Sequence, residues 1–312
     1  MSDPFVPPER VGIVGLGKMG APMARNLKRA GFRVALNDVD ANIARSLASE
    51  IEAEAYERLP ELAQACRVVI TMVPDGRIVR EVALGRAGAP ESGLAAGFAK
   101  GSILIDMSSS APTGTQQLGA ELAARGIDMI DAPVSGGVRR AVPAQLAIMI
   151  GGTSALIERC RPVLSALGSQ LFIAGGLGAG HAIKCLNNYV SAAGLLAAAE
   201  GLIAAQRFGL DPAVALEVLN ASTGKNNSTE NKFAQFVFSR SFGSGFSLGL
   251  MAKDLRTALE LAAQVNAPMP LGEHCVPLWS EAESALGPNA DHTEIVRVLE
   301  RVTGTELKRT MG

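Results

Sequence analysis

The run Gly15-Leu16-Gly17-Lys18-Met19-Gly20 has glycines at its first, third and sixth positions. It follows the apolar stretch Val11 to Val14 and precedes a helix-like segment that ends near Gly31. In this pattern each glycine has its own task. The first permits a tight turn, the second lets a pyrophosphate approach the backbone, and the third lets helix and strand pack closely, with the helix N-terminus facing the anion. Alone the motif is weak evidence. Here the next strand-like run, Arg33 to Asn37, ends in Asp38, eighteen residues past Gly20, where a carboxylate binds the ribose hydroxyls of an adenosine. The expected dinucleotide-binding residues are therefore Gly15, Leu16, Gly17, Lys18, Met19, Gly20, Asn37 and Asp38. A carboxylate at 38 repels a 2′-phosphate and Val39 offers no guanidinium to receive one, which favours NAD over NADP. Two alternatives stand beside this reading: a glycine corner that serves packing alone, and an Asp38 that only caps the following helix, a task for which Asp40 is also placed.

The elements that must carry these residues alternate. "VGIVG", "RVALND", "VVITMVP", "SILIDMS", "IDMIDAPV" and "LAIMIGG" are near-continuous apolar runs of strand length, as expected of strands covered on both faces. Helix-like segments at 19–29, 41–49, 113–125 and 154–167 supply crossovers for a parallel sheet. After Gly180 the pattern becomes long Ala/Leu-rich helices broken by "GLDP", "STGKNNST" and "APMPLG", with no further strand run. The expected fold class is α/β: an N-terminal Rossmann-type doubly wound sheet, then an all-α C-terminal domain led by a long interdomain helix over about 181–208, roughly 40 Å long. The division reads as a loose tail at 1–9, a dinucleotide-binding domain at 10–176 and a helical domain at 177–312, which holds the substrate cleft and the oligomerisation surface.

Composition narrows the classes of function. With 29 Lys and Arg against 30 Asp and Glu, and aromatic residues at 4%, the chain has neither the basic surface nor the stacking residues of a nucleic-acid binder. Cys66, Cys160, Cys185 and Cys275 are scattered with no C-x-x-C pair, so neither a metal site nor a disulfide framework is expected, and a cytoplasmic location fits. The opening residues lack the layout of a secretory signal. The Ala/Leu run from Val190 to Ala205 reads as too short and too small-sided to span a membrane, and so as a packed helix.

Four separated stretches, "GLGKMGAPMARNLKRAG" (15–31), "DAPVSGGVRRA" (131–141), "GAGHAIKCLNNYV" (178–190) and "LMAKDLRTALELA" (250–262), resemble the β-hydroxyacid dehydrogenases, which include 3-hydroxyisobutyrate dehydrogenase and tartronate semialdehyde reductase. The resemblance spans nearly the whole chain. It implies reversible oxidation of a 3-hydroxy carboxylate to its semialdehyde, by a homodimer or homotetramer that acts on a small molecule and not on nucleic acid or a membrane. Lys184 matches the family's catalytic lysine. Moving a hydride from an alcohol carbon requires the hydroxyl proton to leave, and a lysine with a lowered pKa can accept and return it. Asn188 lies one helical turn away on the same face and matches a substrate-binding amide. Ser135, Gly136 and Gly137 match a substrate loop whose N–H groups hold a carboxylate; an ordinary turn is the other reading. Val73, Pro74, Ser109, Phe246 and Lys253 match cofactor contacts, although a core phenylalanine would look the same as Phe246. Many relatives carry Gly-Thr-Leu where this chain reads Ala144-Gln145-Leu146, so the strand after the substrate loop is expected to be set differently.

Two other classes share the architecture. Imine reductases lack this lysine, and non-catalytic dinucleotide-binding relatives lose it and add DNA- or histone-reading segments that are not seen here. The polar stretch Ser222 to Glu230 reads equally as a substrate-entrance loop or as a solvated one.

Overall fold

A computed structural model describes residues 3–308, and the chain divides after Lys184 into two compact units. The first is built on a nine-stranded sheet. Its strands are β1 (Arg10–Val14), β2 (Arg33–Asn37), β3 (Glu54–Ala55), β4 (Val68–Thr71), β5 (Ile103–Asp106), β6 (Asp128–Asp131), β7 (Val134–Ser135), β8 (Ala147–Gly151) and β9 (Gln170–Gly175). The order is β3-β2-β1-β4-β5-β6-β8-β7, with β9 paired to β8. Pairing is parallel from β3 through β6, antiparallel between β8 and both β6 and β7, and parallel again between β8 and β9.

The apolar runs form strands because both sheet faces are covered. Val11, Ile13, Ile70 and Ile105 point into one buried cluster, while Val14, Val69, Leu104 and Met129 point into another, the period-two alternation of a sheet between helical layers. The run "IDMIDAPV" is divided into β6 and β7 at Ala132-Pro133, where proline has no N–H for a ladder. β3 and β9 carry no comparable signal, since both residues of β3 and most of β9 are exposed. The helices Leu59–Ala65 and Gly76–Leu84 are also absent from the periodicity reading. The first is short, seven residues with a proline at its start, and the second is marked mainly by its cap, Asp75, which accepts from Ile78 N–H.

Residues 3–9 are not a loose tail. Phe5 is 1% exposed in the main core, its N–H donates to Arg159 O (2.9 Å), and the Arg159 guanidinium lies 5.0 Å from its ring centre. One aromatic side chain with a cation over its face anchors the segment.

The long helix runs Ala179–Phe208, 30 residues, and the division after Lys184 falls inside it. By length and composition it is apolar enough to cross a membrane, contrary to the estimate from the shorter Val190–Ala205 run. Leu195, Leu196, Ala199, Leu202 and Ile203 are instead buried in the core of the second unit beside Phe233, Leu255 and Trp279, and a buried core helix has the same composition as a membrane-spanning one. Around it pack Pro212–Ala221, Leu248–Gln264, Pro270–Leu286 and Ile295–Thr303.

Candidate active site

Strand order reverses between β1 and its neighbours β2 and β4, and open α/β sheets bind ligands at the carboxyl edge of such a switch point. The glycine loop lies there. Gly15 takes φ +94° and a side chain on it would strike Met72 O; a side chain on Gly20 would strike Gly15 O. Both are required by the protein's own packing. Gly17 differs, because a Cβ there meets nothing within 4 Å and its backbone borders open space. The following helix, Gly20–Arg29, has no side-chain cap at Met19, which leaves its N-terminus suited to an anion. Lys18 is exposed beside it and Leu16 is buried.

Asp38 ties this loop down. Leu16 N–H donates to Asp38 Oδ2 (2.7 Å) and Asp40 N–H to Asp38 Oδ1 (3.0 Å). The cap of helix Ala41–Ile51 is Asp40, which accepts from Asn42 N–H, so Asp38 is not the capping residue. A carboxylate has about four acceptor positions, and two N–H bonds leave room for ribose hydroxyls. Val39 next to it is 96% exposed, an apolar surface where an adenine can lie. Asn37 faces the other way: its Nδ2 donates to Tyr56 O (2.8 Å), while its carbonyl accepts from Gly15 N–H (3.0 Å). After β4, Val73 N–H donates to Ser108 Oγ (3.0 Å), Pro74 is exposed, and Ser109 is half-buried just past β5. Glycine cradle, open helix start and carboxylate together fit a dinucleotide.

The loop expected from the resemblance to hold substrate follows β7. Ser135 is half-buried and pairs with Ala147; Gly136 and Gly137 take φ of +122° and +60° and are exposed. Successive backbone N–H groups in this kind of turn form an anion nest. Ala144 adopts φ +57°, a left-handed conformation that a glycine takes without strain and that costs another residue about 1 kcal/mol.

Sequence reading did not anticipate the buried polar cluster behind this edge. Asp106 and Asp131 end adjacent strands in register, and both are fully buried. Asp131 accepts from Gly178 N–H (2.7 Å) and His181 N–H (2.8 Å), and so caps the long helix from a strand end. The His181 ring lies between the carboxylates, 3.7 Å from Asp106 and 3.6 Å from Asp131. Its Nε2 is 3.2 Å from Ser108 O and its Nδ1 2.9 Å from Thr115 Oγ1. Asp106 in turn accepts from Thr71 Oγ1 (3.0 Å) and Ser110 Oγ (2.7 Å). The only trace of this in the sequence is that two apolar runs end in Asp. Lys184 follows His181 by three residues and is half-buried.

In the second unit Asn188 is buried, and its Nδ2 donates to Asp254 Oδ2 (2.6 Å). Its partners are side chains, since Oδ1 accepts from Asn187 Nδ2 (3.2 Å). Lys253 Nζ lies 3.4 Å from Asp254 Oδ1, so one carboxylate serves both residues. Phe246 packs against the helical core and meets the His292 ring edge-on at 5.7 Å. In the 222–230 stretch Asn226 forms a capping box with Thr229, so that stretch includes a helix start.

Residues 10–176 match the family model described as the NAD binding domain of 6-phosphogluconate dehydrogenase, and residues 178–299 match that described as NAD-binding of NADP-dependent 3-hydroxyisobutyrate dehydrogenase. With the cradle, this defines an oxidoreductase that uses a nicotinamide dinucleotide. The chain is 34% identical over 300 residues to 2-(hydroxymethyl)glutarate dehydrogenase of Eubacterium barkeri, covering 96% of this chain and 97% of that one. It is 37% identical to 3-hydroxyisobutyrate dehydrogenase of Pseudomonas aeruginosa, covering 84% and 88%. The solved structure of Mycobacterium tuberculosis 3-hydroxyisobutyrate dehydrogenase with L-serine superposes with a TM-score of 0.84 at 32% identity, covering 93% and 99%. The chain belongs to the β-hydroxyacid dehydrogenase family.

Proposed function

We infer that the protein interconverts a short 3-hydroxy carboxylate and its semialdehyde, with Lys184 as general acid/base and NAD preferred to NADP. The observation that carries this is the end-to-end match to dehydrogenases named for small hydroxy acids, in a chain that keeps the lysine and amide on one helix face. The bound dinucleotide supplies the hydride acceptor in oxidation and the donor in reduction. The chain's own residues do the rest. The N–H groups of Ser135 to Gly137 hold the substrate carboxylate, which orients the carbinol carbon; placement of this kind accelerates chemistry where uniform binding does not. Asn188 Nδ2 spends one N–H on Asp254 and has a second for a substrate oxygen. Lys184 Nζ takes the hydroxyl proton during oxidation and returns it during reduction.

Lys184→Ala is expected to lower kcat by roughly two to four orders of magnitude, with little change in NADH affinity measured by fluorescence titration. Activity within tenfold of wild type in a folded variant removes Lys184 from the mechanism.

A further inference from the structure

Lys232 directly precedes the π-helical turn Phe233–Val237, and its Nζ donates to Ser191 Oγ (3.2 Å). Ser191 is three residues past Asn188 and seven past Lys184 on the long helix, so the three residues share one stripe. Lys232 therefore delivers its ammonium about one turn beyond the amide assigned to the substrate, some 5 Å along the helix axis. An ammonium has three N–H donors. Among the described residues Ser191 Oγ is its one hydrogen-bond partner, and no carboxylate lies within ion-pair distance. Burial pushes Lys232 down to about 8, opposed by the Asp291 charge, the direction expected of a cation without a close counter-charge.

A group with an unfilled hydrogen-bonding position, His292, belongs to the same unit. His292 Nδ1 is 3.2 Å from Phe246 O, which can only accept, and 2.9 Å from Ser244 Oγ, whose proton goes to Asp291. Nδ1 therefore carries the proton and Nε2 the lone pair. Nε2 is buried with no hydrogen-bond partner. Burial, reinforced by the Lys232 charge, pushes His292 down to about 4, so the ring is neutral near pH 7 and the lone pair stays available.

We propose that Lys232 and His292 form a specificity site for a further hydroxyl group on the substrate, which selects polyhydroxy 3-hydroxy acids over alkyl-substituted ones. A hydroxyl oxygen accepts from Lys232 Nζ and its proton goes to His292 Nε2. A carboxylate satisfies the ammonium but brings no proton for the imidazole, and an alkyl group satisfies neither. The inference rests on the function proposed above, because it needs the substrate anchored at Lys184 and Asn188.

The test compares kcat/KM with NAD for 2,3,4-trihydroxybutyrate and 3-hydroxyisobutyrate in wild type, Lys232→Met and Lys184→Ala. Wild type is expected to favour the trihydroxy acid, and Lys232→Met to reduce that preference by roughly 10- to 100-fold, the scale of a lost charge-assisted hydrogen bond. Equal losses on both substrates, or an unaltered ratio, overturn the proposal. So does a still greater wild-type preference for 2-(hydroxymethyl)glutarate that Lys232→Met removes, since that outcome assigns the ammonium to a second acid group. Lys184→Ala reports separately on the underlying reading: a loss of roughly two to four orders of magnitude on both acids supports it, and activity within tenfold of wild type overturns it. Where Lys232→Met does not fold, Lys232→Gln keeps a shorter donor and is expected to show the same shift in ratio at smaller size.

Discussion

Asp38 does structural work in the fold and, in the function proposed above, recognition work as well. Its two oxygens hold the N–H groups of Leu16 and Asp40, which locks the glycine loop against the end of β2, and in the proposed NAD site the same negative charge would oppose a 2′-phosphate. Steady-state kcat/KM is therefore expected to favour NAD over NADP in wild type. Asp38→Ala should narrow the gap by lowering the NAD value more than the NADP value, because it removes the ribose acceptor and the repulsion at once. A wild-type preference for NADP would show that another residue reads the 2′ position.

At the scale of the element, the long helix depends on a residue from a distant strand. Asp131 satisfies two N–H groups at the start of that helix, and a side chain on Gly180 would strike this same carboxylate, so strand end and helix start are fitted closely together. Asp131→Ala is expected to cost about 2–4 kcal/mol, because it leaves two buried donors and the His181 ring without their partner. Urea denaturation followed by circular dichroism measures this, and a loss below about 1 kcal/mol would mean that the helix start is held by something else. Lys184 sits within two turns of that cap, so its placement along the helix inherits the cap's geometry.

For the whole molecule, pH and assembly give two checks. His292 is held at about 4 in the fold, below its ordinary value near 6.5. The unfolded chain thus binds a proton that the folded one refuses, and stability is lost as pH falls from about 6.5 to about 4. The loss attributable to this residue is at most about 3 kcal/mol. Compared at pH 7 and 4.5, His292→Gln should lose less stability than wild type; equal losses in the two proteins would place the acid sensitivity elsewhere. Phe208, Leu210, Val214 and Val218 are more than half exposed in the second unit, an apolar strip of the kind that subunit contacts cover. A homodimer or homotetramer is expected in sedimentation at micromolar concentration, and Val214→Asp with Val218→Asp should shift it towards monomer. A stable wild-type monomer would refute the assembly.

What could be read from the sequence was local. The cradle lies within a single β-α-β unit, so three glycines, one acid and the flanking apolar runs carry its geometry in about thirty residues. The same holds for the strands buried on both faces, whose burial removes any need for polar residues along the run. β3 and β9 lacked that burial and left no pattern. Asp106, Asp131 and His181 come from three segments, and only folding places both carboxylates within 4 Å of one imidazole. The pairing of Asn188 with Asp254 and of Lys232 with Ser191 likewise joins residues 66 and 41 positions apart. Hydrophobic periodicity records which side of an element is buried, but it holds no information on which polar groups meet across elements. Those meetings follow from packing, and so only the tertiary structure decided them.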